Sequence, residues 1–147
     1  MKVLVQRVKE ATCTIDDVAY SHIEEGLLLF VSFKQGDAAD LIGPMAKKIA
    51  HLRILDDEEG KLNLSVKTLN LPVMSISQFT LEARTDKGHR PSFTEALEPE
   101  LASLYYTMFN EALRKEGLTV KTGLFQAKMA ISLINDGPVT LLIERGM

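Results

Sequence analysis

The chain has 147 residues, 46% of them hydrophobic, a formal net charge of -3 at neutral pH and one cysteine. That length suits a single domain able to bury a sizeable core without metal or disulfide clips. A lone cysteine, Cys13, excludes an intramolecular disulfide and any multi-cysteine zinc or iron-sulfur site, and the acidic balance argues against a broad sequence-independent grip on nucleic acid.

The first residues, MKVLVQRVKE, interrupt their apolar run with Gln6, Arg7, Lys9 and Glu10, so they do not make a secretory h-region. No apolar stretch approaches the roughly 18 residues of a membrane span. The expectation is a soluble, cytoplasmic protein without a membrane partner. KVLVQRV (2 to 8) and ATCTI (11 to 15) alternate, and GLLLFVSF (26 to 33) is the continuous apolar run of a buried strand. The period then changes. Leu41, Ile42, Met45, Ala46, Ile49 and Ala50 repeat at three and four, which predicts a helix between Asp37 and about Leu52. Pro44 fits that helix only if it begins late, near Leu41, so that the missing N–H falls in the first turn.

DDEEGKLN (56 to 63) reads as a polar hairpin turn, without the spacing of a calcium loop. LPVMSISQFTLEA (71 to 83) reads as a strand, with Pro72 at its start. A second helix follows in EPELASLYYTMFNEALRKEG. Pro99 suits its first turn, Gly117 suits its stop, and Leu101, Leu104, Tyr105, Met108, Phe109, Ala112 and Leu113 form its apolar face. Beyond it, AKMAISLI (127 to 134) and VTLLI predict two last strands meeting at NDGPVT (135 to 140), which by composition is a surface turn. The fold class is therefore a strand-rich, mixed α/β single domain over 1–147, its sheets packed by two main helices.

No phosphate-binding loop, dinucleotide fingerprint, HExxH or GxSxG is present, and His22, His51 and His89 are scattered, so neither a metal nor another cofactor is expected. Two anomalies remain. SISQFTL carries Ser75, Ser77, Gln78 and Thr80 in a segment otherwise suited to a core, where unpartnered polar groups are costly. Period two sends Gln78 and Thr80 to the face of Met74 and Ile76, and Ser77 to that of Phe79. The second anomaly is NDGPVT itself. A satisfied strand end and a hairpin turn are the structural readings of the two. One basic cluster, Arg84, Lys87, His89 and Arg90 in EARTDKGHR, is either a solvated loop or a phosphate contact.

Taken together, MKVLVQRV, SQFTL (77 to 81), TDKGHRPSF (85 to 93) and NDGPVT resemble the D-aminoacyl-tRNA deacylase family along essentially the whole chain. The resemblance implies a homodimeric enzyme that hydrolyses the ester between a D-amino acid and tRNA, with glycyl-tRNA(Ala) as a further substrate. It implies that Ser77, Gln78, Phe79 and Thr80 line the pocket for the 3′ aminoacyl-adenosine end, and that Phe125 and Met129 lie on the adenosine side. Gly137 and Pro138 would form a cis Gly-Pro gate inserted into the partner's pocket, rejecting L-amino acids by shape. GLFQAKM departs from the family's GxFGAxM by Gln126, and His89 stands where Arg is frequent. Ester hydrolysis needs a positioned water and donors for the oxyanion. The backbone N–H groups around Gln78 and Phe79 are the expected donors, and Thr80 has no neighbouring base in sequence to make it a nucleophile. In the resemblance the 2′-hydroxyl of the terminal adenosine assists. Two alternatives remain: a tRNA-end binder without chemistry, and an editing domain of the threonyl-tRNA synthetase type acting on L-seryl-tRNA.

Overall fold

The computed structural model describes residues 1–146. It is built on a long first strand, β1 (Lys2–Ile15), which joins the two opening strand predictions into one element. β1 pairs antiparallel with β2 (Val18–Ile23), β3 (Gly26–Ser32) and β8 (Ala130–Glu144), and β3 continues in parallel to β6 (Val73–Ser77) and β7 (Val120–Thr122). The order β2-β1-β3-β6-β7 brings its two ends together. There the Ser21 hydroxyl donates to the Thr122 carbonyl at 2.8 Å, so the sheet is nearly a closed barrel. β4 (Leu55–Asp56) and β5 (Leu62–Leu64) form the small hairpin expected of DDEEGKLN.

Residues alternating along each strand serve two apolar layers. Val3, Val5, Leu27, Leu29, Val31 and Val73 face the helices, α1 (Ile42–His51) and α3 (Pro99–Lys115), whereas Val8, Ala11, Cys13, Leu28, Met74 and Ile76 pack on the other side. β1 changes allegiance at its middle. Val8 pairs with Asn135 and Glu10 with Ile134, so Lys9 is an extra residue, and this bulge keeps Val8, Ala11 and Cys13 on one face.

The first helix begins after a 3-10 turn (Ala39–Leu41), with Pro44 in its first turn as its sequence demands. A short α2 (Val66–Leu69) is capped by Ser65, whose side chain accepts from Thr68 N–H. α3 starts with Pro99 at its first turn, but its buried face is rotated from the expected stripe. Tyr106, Phe109, Asn110 and Leu113 are buried, whereas Leu104 and Met108 are exposed. The cause is polar: the Tyr106 hydroxyl donates to the Ser75 carbonyl at 2.6 Å, and burial raises the phenol's pKa, so it stays a donor.

Two further expectations are corrected. The strand predicted over 71–83 ends at Ser77, and Phe79–Glu82 is a 3-10 helix, so the alternation assigning faces to Gln78, Phe79 and Thr80 does not extend that far. NDGPVT is not a hairpin turn between two strands. Both flanks belong to β8 and pair antiparallel with the same strand, β1. Gln6 faces Thr140 and Val8 faces Asn135. Arg7 alone separates these positions on β1, whereas Asp136, Gly137, Pro138 and Val139 separate them on β8. The motif is an excursion from a continuous strand.

Candidate active site

β3 and β6 run parallel and end side by side, with Val31 opposite Ser77. Beyond their carboxyl ends opens a pocket of about 840 Å³, lined by Val31 to Phe33, Ile76 to Phe79, Phe93, Ala96 to Pro99, Ala102, Phe125 to Ala127, Met129 and Ile131. Its volume is in the range of small-molecule sites, and its walls are mainly apolar. Ser77, Gln78, Phe79, Phe125 and Met129 therefore meet at one cavity. Thr80 adjoins it through Gln78, whose side-chain Nε2 donates to Thr80 Oγ1 at 2.5 Å. Gly137 and Pro138 do not line the pocket of their own chain.

The 3-10 helix at the pocket rim explains what the polar residues of SQFTL do. Gln78 N–H donates to the Val31 carbonyl at 2.7 Å, closing the end of the sheet. That N–H is consumed, which removes Gln78 from the expected backbone oxyanion donors. Phe79 and Thr80 open the 3-10 turn, where N–H groups have no internal acceptor, and neither finds one among the described residues. A pair of unspent N–H groups thus sits on the rim.

This turn is held from below. Glu82 is 2% exposed; its carboxylate accepts from the Ser32 hydroxyl at 2.7 Å and from Lys2 Nζ at 3.1 Å. Lys2 Nζ also donates to the Leu81 carbonyl at 3.3 Å. The ion pair ties β1, β3 and the 3-10 helix together directly behind the pocket. No feature of the sequence singled out Glu82 or Lys2; only the fold joins residues so far apart.

On the aromatic side Phe79 is 57% exposed and meets Phe93 edge-on, with centroids 5.2 Å apart, while Phe125 leans on Tyr106 at 6.1 Å. Gly123 allows Met129 into place, since a Cβ there would lie 2.5 Å from the Met129 sulfur. Gln126 has φ +65°, the left-handed region that favours glycine. The departure from GxFGAxM therefore falls where the backbone asks for glycine.

The excursion in β8 is a second ordered element. The Gly137–Pro138 bond is cis. Arg7, only 6% exposed, donates from Nε to the Asp136 carbonyl and from one terminal nitrogen to the Ile54 carbonyl and to Asp56 Oδ1, each at 3.1 Å. Asn135 Nδ2 donates to the carbonyls of Arg7 at 2.9 Å and Val139 at 3.0 Å, pinching the base of the excursion. Gly137 and Pro138 are exposed at its tip. Arg7 was invisible as a site residue in sequence, where it looked like a polar interruption of an apolar run.

Of the basic cluster in EARTDKGHR, Arg84 is committed to Asp86 at 3.1 Å and Glu95 at 3.3 Å. Lys87, His89 and Arg90 are exposed, with no ion-pair partner among the described residues. Among the same residues, no group of three or more His, Cys, Asp or Glu is placed to hold a metal ion, and no helix is long and apolar enough to cross a membrane.

The chain is similar to known proteins along nearly its whole length. A D-aminoacyl-tRNA deacylase of Exiguobacterium sp. is 44% identical over 145 residues, covering 99% of both chains. One of Geobacillus sp. is 47% identical over 144 residues, covering 98% of this chain and 95% of the relative. The solved structure of a c-Myc DNA Unwinding Element Binding Protein superposes with a TM-score of 0.93 at 36% identity over the whole of both chains. A probable eukaryotic D-amino acid tRNA deacylase shares the fold alone, with a TM-score of 0.85 at 13% identity and 97% of each chain covered. The family profile described as D-Tyr-tRNA(Tyr) deacylase matches residues 4–144, and the chain belongs to that family.

Proposed function

We propose that this chain hydrolyses the ester bond of D-aminoacyl-tRNA, releasing the D-amino acid and tRNA. The family match along nearly the entire chain carries the assignment. The pocket supports it with a mostly apolar cavity for an aminoacyl-adenosine and two unspent N–H groups at its rim. In this reading the ester carbonyl oxygen points at the N–H groups of Phe79 and Thr80, and the adenine lies toward Phe125 and Met129. As water adds to the carbonyl carbon, negative charge gathers on that oxygen. Fixed donors aimed there are worth roughly 3 to 4 kcal/mol each in other enzymes. Thr80 does not attack. Its hydroxyl oxygen already accepts from the Gln78 amide, a group unable to take a proton from it. The 2′-hydroxyl of the substrate's terminal ribose orients the water, so the protein contributes position and desolvation.

Chirality belongs to a second copy of the chain. β8 pairs only with β1, and its other edge is free among the described residues. Ile134 is 48% and Leu142 51% exposed on that strand, beside the exposed Gly137 and Pro138. An unpaired edge carrying apolar side chains is a natural docking surface. Isologous pairing of two copies there would deliver each Gly137–Pro138 tip to the other's pocket. Backbone carbonyls at the tip would hold the substrate ammonium, and the wall beside them would exclude an L side chain.

The test is hydrolysis of matched D- and L-tyrosyl-tRNA, combined with sedimentation. Turnover of the D ester by a dimer, with the L ester spared, is the expected result. L-seryl-tRNA hydrolysis without D activity, binding without turnover, or a fully active monomer would each overturn part of the reading.

A further inference from the structure

On the outer face of α1 lies a shallow groove of about 520 Å³, lined by Pro44, Lys47, Lys48, His51, Leu52, Arg53 and Arg145. Five of the seven lining residues are basic types and none is acidic, in a chain whose net charge is -3. Pro44, Lys47, Lys48 and His51 follow helical spacing on the face opposite the buried Ile42, Met45, Ala46, Ile49 and Ala50. Their convergence is therefore a consequence of how α1 is anchored. Arg53 is set in place by Asn63, to whose carbonyl Nε donates at 3.0 Å, and Arg145 arrives from the end of β8. Lys47, Lys48, His51, Arg53 and Arg145 have no ion-pair partner among the described residues. His51 Nδ1 donates to the Lys47 carbonyl at 2.9 Å, which fixes its ring within the groove lining.

The groove opens near the pocket end of the sheet. Ser32, in the pocket lining, pairs with Lys2, and Lys2 pairs on its other side with Glu144. Arg145 follows, its N–H donating to the Met1 carbonyl at 2.9 Å. Two strand spacings, about 10 Å, thus separate the backbone at the pocket rim from the start of the groove. A polyanion whose 3′ end occupies the pocket and which leaves it across this edge of the sheet would come within reach of these basic residues.

We propose that this groove is a docking surface for the phosphate backbone of tRNA, holding the stem while the aminoacyl end enters the pocket. The partner's identity rests on the activity proposed above; the groove's preference for a phosphate chain rests on its own charges. Contacts of this kind position a nucleic acid without reading its bases, and they weaken as salt rises. The groove differs from the EARTDKGHR loop in that its basic residues come from two distant segments, α1 with the residues just after it and the end of β8, and share one concavity, whereas Arg84 of that loop is neutralised within the chain.

The experiment uses the full chain, uncharged tRNA, D-tyrosyl-tRNA and the short ester D-tyrosyl-adenosine. A Lys47→Ala/Lys48→Ala variant, and separately Arg145→Ala, alter exposed side chains and should remain folded. The expected result is weaker binding of uncharged tRNA, and a log-log salt slope lowered by nearly one unit per lost contact. KM for D-tyrosyl-tRNA rises several-fold at constant kcat, and D-tyrosyl-adenosine is hydrolysed as before. Unchanged tRNA binding and salt slope in both variants would overturn the proposal, as would an equal loss on D-tyrosyl-adenosine. An unmodified protein that binds tRNA through the groove yet hydrolyses no D ester would instead overturn the activity and leave the groove standing.

Discussion

Arg7 donates from Nε to the backbone oxygen of Asp136, so a buried cation on β1 holds the carbonyl from which the Gly137–Pro138 excursion departs on β8. The same guanidinium reaches Ile54 and Asp56, and only a planar, multi-donor head can serve all of these acceptors at once. Arg7→Lys should therefore behave as a loss. We expect about 2 to 3 kcal/mol of destabilisation, from stranded carbonyls and a weakened pair, and a larger fall in D-aminoacyl-tRNA hydrolysis than in tRNA binding. Denaturant unfolding and kcat/KM measured on one preparation check both. Full activity in Arg7→Lys would mean that the excursion is ordered without the clamp.

Gly137 lies at φ +120°, and a Cβ there would meet Arg7 Nη2 at 2.8 Å and the Val139 side chain at 3.1 Å. The guanidinium cannot retreat cheaply because it is already bonded on several sides. Gly137→Ala should cost about 1 to 3 kcal/mol and displace the tip. If the tip acts across a dimer, mixing inactive Gly137→Ala subunits with subunits inactivated in the pocket should restore activity, since one mixed site is intact. No recovery in confirmed mixed dimers would place the tip's effect within its own subunit.

Glu82 is buried with two donors, the Ser32 hydroxyl and Lys2 Nζ, and it ends the turn that presents Phe79 and Thr80. It does not line the pocket, so its effect must pass through the turn. Glu82→Ala should destabilise the fold by about 2 kcal/mol and lower kcat more than it raises KM, because misaimed donors affect the transition state most. Glu82→Gln, which keeps an acceptor for Ser32, should recover part of the rate. Equal losses in the two variants would show that the charge, rather than the placement of the turn, is what matters.

Gln126 occupies the left-handed region at φ +65° in the segment that carries Phe125 to the pocket. A side chain there is unfavourable by about 1 to 2 kcal/mol, partly offset by the extra freedom glycine has when unfolded. Gln126→Gly should leave the fold unchanged in stability or raise it by up to about 1 kcal/mol, read from the denaturation midpoint. A clear destabilisation would reveal that the Gln126 side chain makes a stabilising contact.

Much of the architecture was readable because local pattern and tertiary role agree. Pro99 and Gly117 mark the ends of α3, and Pro44 fits its helix only where α1 begins. NDGPVT failed as a hairpin because turn chemistry describes four residues at a time. Whether the chain reverses depends on which strand its flanks pair with, and here both pair with β1, more than 120 residues earlier in the chain. The end of β6 was hidden for a related reason. Phe79 and Leu81 continue an alternation that the chain abandons once Gln78 N–H closes on Val31. Leu104 and Met108 completed a convincing apolar stripe, yet Tyr106 and Asn110 took the buried positions. Periodicity weighs hydrophobicity and cannot see a hydroxyl's acceptor.

Thr80 is the residue whose role the geometry constrains most. A serine- or threonine-type nucleophile needs a base within hydrogen-bond reach, and that base needs a lone pair to receive the proton. Thr80 Oγ1 instead meets Gln78 Nε2, a donor at 2.5 Å, and no histidine or carboxylate is bonded to it. The hydroxyl is therefore an acceptor from the protein with its own proton free to offer to substrate. Thr80→Ala removes that hydrogen bond but leaves the backbone N–H, the proposed oxyanion donor, where it was. The expected outcome is a kcat close to that of the unmodified protein and a KM raised by a few-fold, equivalent to about 1 kcal/mol for one hydrogen bond. Thr80→Pro removes the N–H itself and should reduce kcat far more, by about a hundredfold if the donor works as in other esterolytic enzymes. Its folding is checked by circular dichroism and by retained tRNA binding. The comparison of the two variants separates side chain from backbone. Loss of turnover in Thr80→Ala, or a covalent aminoacyl ester trapped on Thr80 of the unmodified protein, would show that the hydroxyl attacks after all.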